Sequence, residues 1–208
     1  MHRQALRWLA GGLFVSGILL LGVWVENERR ARAFQAAQSK RLTAALGQAE
    51  LAVRPTLGAP AGPAGTGAQE PGTGVLGRIE IPRLGISAMI AEGTDATALR
   101  HAVGHVRSTS QPGEPGNVGL AGHRDSFFRG LGEVRENDLV RIVTAHGTYD
   151  YRVKWDAVVD PHRVDVLDST AVPSLTLVTC YPFHWVGPAP QRFVVRAEGI
   201  ETTALAVR

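Results

Sequence analysis

The sequence predicts an all-β fold, a closed barrel of about seven strands, carried behind a single membrane-spanning helix. Three observations lead to this. The N-terminal region holds one long uncharged apolar run, and a Pro/Gly-rich stretch separates it from the rest. Residues 75–208 then break into short apolar and β-branched runs punctuated by Gly, Pro and Asp, the pattern of strands joined by turns.

Residues 8–25, WLAGGLFVSGILLLGVWV, carry no charge, and at 1.5 Å per residue they span about 27 Å, close to the hydrocarbon thickness of a bilayer. Trp8 and Trp24 sit near opposite ends of this run, where amphipathic rings favour the interface. The run is longer than a signal-peptide core of about 7–15 residues. Arg29, Arg30 and Arg32 also crowd the Ala-x-Ala site at 31–33 that follows the run. Residues 1–25 are therefore expected to be a retained tail and anchor. Residues 26–53, rich in Ala, Gln, Glu, Arg and Leu without Pro, read as a helical, solvated stalk. Residues 54–74, with PTLGAPAGPAGTGAQEPGTG, hold too few large apolar side chains to offset the entropy of ordering and read as a flexible linker.

Within the domain at 75–208, strands are expected over 76–81, 86–91, 118–121, 139–144, 148–159, 174–179 and 193–198. His146-Gly147 forms the turn between the fourth and fifth. Short helices are expected over 94–101, with Thr94 or Asp95 as N-cap, and over 127–134. Charge placement excludes one class of partner. The chain is +3 overall, but residues 1–74 hold eight Lys+Arg against four Asp+Glu and residues 75–208 hold fourteen against fifteen. The basic excess flanks the membrane helix and leaves the domain at −1, so no nucleic-acid partner is indicated.

The chemistry-bearing residues lie in three segments. Thr176-Leu-Val-Thr-Cys-Tyr-Pro-Phe183 carries the only cysteine, Cys180; Leu120-Ala-Gly-His-Arg-Asp125 carries His123; Gln191-Arg-Phe-Val-Val-Arg196 carries Arg192. Cys180 closes one strand run and Arg192 opens the next, so a hairpin sets both at one end of adjacent strands. His123 follows the 118–121 strand and reaches the same rim. Together they supply a nucleophile, a proton carrier and a fixed cation. The loop between Cys180 and Arg192 contains three prolines and three aromatic residues, suited to a semi-rigid wall. Taken alone, Cys180 also reads as a small buried hydrophobe. His101 and His105 stand at zinc-ligand spacing, but Gly104 interrupts a helix and no further ligand is near. His184 is the rival proton carrier. Asp125 is either a loop carboxylate or a group orienting His123.

The three segments, in this order, resemble the sortase family of cysteine transpeptidases over residues 75–199. The Thr-Leu-Val-Thr-Cys and Gly-His-Arg-Asp forms are most like its class D. The resemblance implies an eight-stranded sortase-like β-barrel. It makes Cys180 the nucleophile that forms an acyl-thioester, His123 the proton carrier and Arg192 the oxyanion-stabilising cation, with Ala121 and Thr179 lining the substrate groove. No cofactor and no metal ligand are expected, with dependence on a divalent ion left open by the sequence. Its partners would be exported proteins with a C-terminal sorting signal of Leu-Pro-x-Thr type and an amine acceptor on the cell envelope. The setting would be the bacterial cytoplasmic membrane, crossed once, with the domain outside. The cationic flank after residue 25, counted by the positive-inside rule, points to the opposite orientation. The residues before Cys180 depart from the Ser-His-Gly-Cys motif of L,D-transpeptidases. The Asp-Pro-aromatic lid of pilus-building sortases is lacking ahead of the barrel, so pilin polymerisation is not implied. A non-catalytic, membrane-tethered barrel that binds envelope peptides is the alternative reading.

Overall fold

A computed structural model describes residues 2–52 and 74–200. One helix, α1 (His2–Ala52), precedes eight strands: β1 (Val75–Ile81), β2 (Ile86–Glu92), β3 (Val103–His105), β4 (Asn117–Ala121), β5 (Leu139–Thr144), β6 (Gly147–Val159), β7 (Ser174–Tyr181) and β8 (Gln191–Gly199). A short helix, α2 (Ala96–His101), and three 3₁₀ turns, Pro82–Leu84, Arg129–Glu133 and Val164–Leu167, fill the connections. The strands close in the order β1-β2-β3-β4-β7-β8-β6-β5, which leaves no open edge. The pairs β2/β3 and β4/β7 are parallel and the remaining pairs antiparallel.

Alternation along the strands fills the barrel. Ile79, Ile81 and Ile90 meet Leu120, Ile142, Leu175, Leu177 and Val195 in one buried cluster. The barrel has one strand more than the seven runs read from sequence. That strand is β3, three residues long, too short for an alternation signal. The short helix begins at Ala96, with the Asp95 carboxylate accepting from Thr97 N (2.9 Å) and Ala98 N (3.1 Å). The helix expected over 127–134 is a single 3₁₀ turn, RGLGE, because its two glycines disfavour a longer helix. The turn between β5 and β6 falls as expected, with Thr144 paired to Gly147.

His101 and His105 do not share a helix face. His101 closes α2, whereas His105 ends β3 fully buried, with Nδ1 3.1 Å from Glu92 Oε2 and Nε2 3.0 Å from Ser110 O. His105 thus secures the turn after β3.

Among the described residues α1 is the one helix long and apolar enough to cross a membrane. Its second half is not solvated all round, as a free stalk would be. Leu42 packs with Met89 and Val143, joined by Phe34, Leu46 and Val75. Gln35 donates to His101 O and accepts from Met89 N, both at 2.7 Å. Arg78 reaches Ser39 Oγ at 3.2 Å. Apolar burial and an amide that satisfies two backbone groups lay α1 along the β1/β2 side of the barrel. The linker expected over 54–74 lies, Gly74 apart, outside the described residues, as does 201–208.

Candidate active site

Strand register decides which side chains meet. On β7, Leu175, Leu177 and Thr179 point inward, while Thr176, Val178 and Cys180 take the outer face. On β8, Phe193, Val195 and Ala197 point inward, so Arg192, Val194 and Arg196 share the outer face with Cys180. Cys180 stands directly opposite Arg192, Val178 opposite Val194 and Thr176 opposite Arg196. Directly opposed residues present their side chains to the same face about 5 Å apart. The sequence-based pairing of Cys180 with Arg192 is therefore a register neighbour pair.

His123 arrives from the parallel neighbour. Ala121 pairs with Val178, and Gly122 N extends the ladder to Val178 O at 3.1 Å. Continued by two residues, this register sets His123 level with Cys180. The chain turns there: His123 O accepts from Phe128 N at 3.0 Å, and the Phe128 side chain is fully buried. Gly122 makes the turn feasible, since a Cβ there would lie 2.7 Å from the Phe128 ring. His123 itself is exposed.

Thr179 and Ala121 take different places. Thr179 is 2% exposed and donates to Gly122 O at 2.7 Å. Its hydroxyl faces the wall rather than an open groove, because position 179 falls on the inward face of β7. It grips the carbonyl one residue before His123. Ala121, half-buried, shares the outer face with Val178, and its small side chain keeps the floor near Cys180 shallow.

Loops wall this floor on two sides. The Val164–Leu167 turn lies over its lower part, where Val166 O accepts from Arg196 Nη2 at 2.7 Å and from Asn117 Nδ2 at 3.2 Å. The loop from β7 to β8 is rooted in an aromatic cluster of Tyr181, Phe183 and Phe193, with ring centroids 5.3–6.3 Å apart. Arg124, next to His123, ties the segment after β4 to the loop from β7 to β8: its Nη2 donates to Trp185 O (2.7 Å) and Gly187 O (3.1 Å). Sequence reasoning passed over Arg124, since bonds to backbone carbonyls leave no signature in the acceptor residues.

The two arginines of β8 differ in surroundings. Arg192 is half-buried and donates only to Ala189 O (3.3 Å) and Gln191 O (3.0 Å), and no ion pair among the described residues includes it. Arg196 packs over the Trp155 ring, 5.7 Å from its centroid, and burial lowers its pKa from the usual arginine value. A guanidinium without an ion-pair partner thus stands opposite the thiol, and one bonded to Val166 O supports the adjoining loop. Asp125 makes no hydrogen bond to His123 among the described residues; instead its backbone carbonyl accepts from Arg129. His184 lies exposed in the loop from β7 to β8.

Comparison with known proteins gives one answer from sequence and structure. The family model described as "Sortase domain" matches residues 79–200. Sortase D of Bacillus subtilis (strain 168) is 37% identical over 128 residues, which are 61% of this chain and 65% of that protein. Sortase A of Listeria monocytogenes is 30% identical over 110 residues, 51% of this chain and 49% of that protein. The matched stretch therefore spans less than two thirds of either curated relative. Among solved structures, the Clostridium perfringens Sortase D5 transpeptidase superposes with a TM-score of 0.56 at 30% identity, over 61% of this chain and 79% of that one. With the closed eight-stranded barrel and the family match over its length, the chain belongs to the sortase family and is most like class D.

Proposed function

We propose that this protein is a membrane-anchored cysteine transpeptidase in which Cys180, His123 and Arg192 act together. The observation that carries the reading is the opposition of Cys180 and Arg192 on the outer face of β7 and β8, at the level to which the β4/β7 register brings His123. His123 takes the thiol proton as Cys180 Sγ attacks the carbonyl carbon of the scissile peptide. Arg192 donates to the oxyanion. The carbon–nitrogen bond breaks, the leaving amine takes the proton from His123, and an acyl-thioester stays on Cys180. A second amine attacks the thioester and gives up a proton through His123, and the thiol is restored. Ala121 and Val178 floor the acyl site, while Thr179 positions the His123 turn.

The substrate is an exported protein with a Leu-Pro-x-Thr type signal, cleaved after Thr and passed to an envelope amine. Residues 8–25 anchor the chain in the bacterial cytoplasmic membrane with the barrel outside. A shared surface raises the effective concentration of enzyme and substrate. Alkaline phosphatase fused after Gly74, active only outside the cytoplasm, reports the orientation; an inactive but stable fusion would reverse it.

The test is intact-mass measurement of the full chain with Leu-Pro-x-Thr-x peptides and candidate amines. The wild type is expected to show a peptide adduct that shifts to product when amine is added, and Cys180→Ala to show neither while keeping its melting temperature. Equal cleavage by Cys180→Ala would overturn the mechanism. Peptide binding without an adduct in the wild type would instead favour a non-catalytic tethered barrel.

A further inference from the structure

The direction of α1 fixes which end of the barrel faces the membrane. Its late residues, Leu42 and Leu46, pack near Val75 and Val143, the start of β1 and the end of β5. Its earlier residues, Trp24, Glu28 and Arg32, border a cavity of about 1020 Å³ whose opposite wall includes Asp125, Ser126, Phe127 and Arg129. Those four belong to the segment that follows His123. The end of the barrel carrying Cys180, His123 and Arg192 is therefore the end nearest Trp24. Gln35, which holds the barrel, is about 16 Å along the helix from Trp24.

The cavity is cationic. Arg32, Arg78, Arg100 and Arg129 line it against Glu28 and Asp125. Glu28 is taken by Arg32, and Arg78 pairs with Glu80. Arg100 and Arg129 have no carboxylate partner among the described residues: Arg100 donates to Thr97 Oγ1, and Arg129 to Asp125 O. A smaller adjoining cavity of about 360 Å³ shares Trp24 and Arg100 and adds Arg30.

Given the anchoring of α1 proposed above, we infer that this groove binds the headgroups of anionic phospholipids and so seats the catalytic end of the barrel on the membrane surface. The two guanidinium groups without a carboxylate partner match a phosphate diester in charge, and each keeps N–H donors beyond those given to Thr97 and Asp125. Both arginines line a cavity that Trp24 also borders, and Trp24, at the end of the apolar run, belongs at the interface. Lysine and arginine beside an anionic surface each contribute about fivefold in affinity. Losing both should therefore weaken headgroup binding by about 25-fold.

The full chain with Cys180→Ala and one fluorophore-labelled cysteine, reconstituted with headgroup-spin-labelled lipid, tests this. The label is placed at Ser126 in the groove, or at Ser108 beyond the far end of β3. Quenching at Ser126 is expected to exceed that at Ser108, to rise when phosphatidylglycerol replaces phosphatidylcholine, and to fall back in Arg100→Gln/Arg129→Gln. A third label at Leu19, read with acyl-chain quenchers, reports insertion of α1 separately. Quenching at Leu19 with no phosphatidylglycerol dependence at Ser126 would overturn the headgroup site and leave the anchor standing. Soluble glycerol phosphate reproducing the phosphatidylglycerol effect in phosphatidylcholine bilayers would overturn it too. Loss of quenching at Leu19 would remove anchor and site together.

Discussion

The β7–β8 hairpin has the same kinds of side chain at two levels of one face, in opposite states. Lower down, Thr176 donates to Asn117 Oδ1 at 2.7 Å, and its partner across the hairpin, Arg196, is held by Val166 O and Trp155. One step beyond Val178 and Val194, Cys180 and Arg192 face each other with no hydrogen bond between them. The lower level spends its polar groups on joining a loop to a strand. The upper level, where the proposed mechanism places the chemistry, leaves Arg192 bonded only to carbonyls of its own loop and without a carboxylate. Partnership, more than residue type, separates the structural level of this face from the one proposed to do chemistry.

The sharpest way to break this contrast is Arg192→Lys. An ammonium replaces a planar fork of donors, and losing one oxyanion donor costs about 10²–10³ in turnover. Melting temperature should stay put, which thermal unfolding beside the peptide assay would check. Arg196→Lys should do the reverse: turnover within a few-fold, but loss of the Val166 bond worth about 1 kcal/mol, or about 4 °C. If the two phenotypes exchange places, the roles assigned to the arginines are wrong.

Thr179→Val sharpens the comparison from beneath. Removing the donor to Gly122 O leaves a buried carbonyl short of a partner, at about 1–2 kcal/mol. The His123 turn loosens, so kcat falls while Cys180 still alkylates. Thr179→Ser should restore most of the rate. A kcat unchanged in Thr179→Val would show that the turn is held by Phe128 alone.

The smallest effect concerns acid. The Arg83 guanidinium and the Arg135 backbone N–H hold the buried Asp138 carboxyl below its usual pKa. A depressed carboxylate pKa stabilises the fold above the unfolded value of about 3.9, and that contribution fades as pH falls through the folded value. Asp138→Asn should lower stability near neutrality and flatten the loss seen below about pH 4. Parallel acid limbs in the two proteins would show that other carboxylates dominate.

Much of this was legible in the sequence. Strong runs such as Ser174–Tyr181 and Gln191–Gly199 declared themselves, with ends displaced by one or two residues, because strand ends depend on register with neighbours. Cys180 stood out as the single cysteine, while the choice of His123 over His184 and of Arg192 over Arg196 came from the sortase-like motifs around them. What stayed hidden was tertiary. A three-residue strand has no period to detect, and the inward turn of Thr179 depends on the pleat. The seating of α1 rests on a sparse stripe, Phe34, Leu42 and Leu46, within a helix whose polar composition reads as solvated.

That seating changes what the segment between α1 and β1 is for. Leu46 and Val75 belong to one apolar cluster, so the helix delivers the chain close to where the barrel begins. On the proposed anchoring, the distance of the barrel from the bilayer is set by the docking position on α1, in the manner of a bracket. The length of residues 53–73 is released from that duty. Doubling it should cost only about 0.6 kcal/mol of closure entropy and leave the working height unchanged.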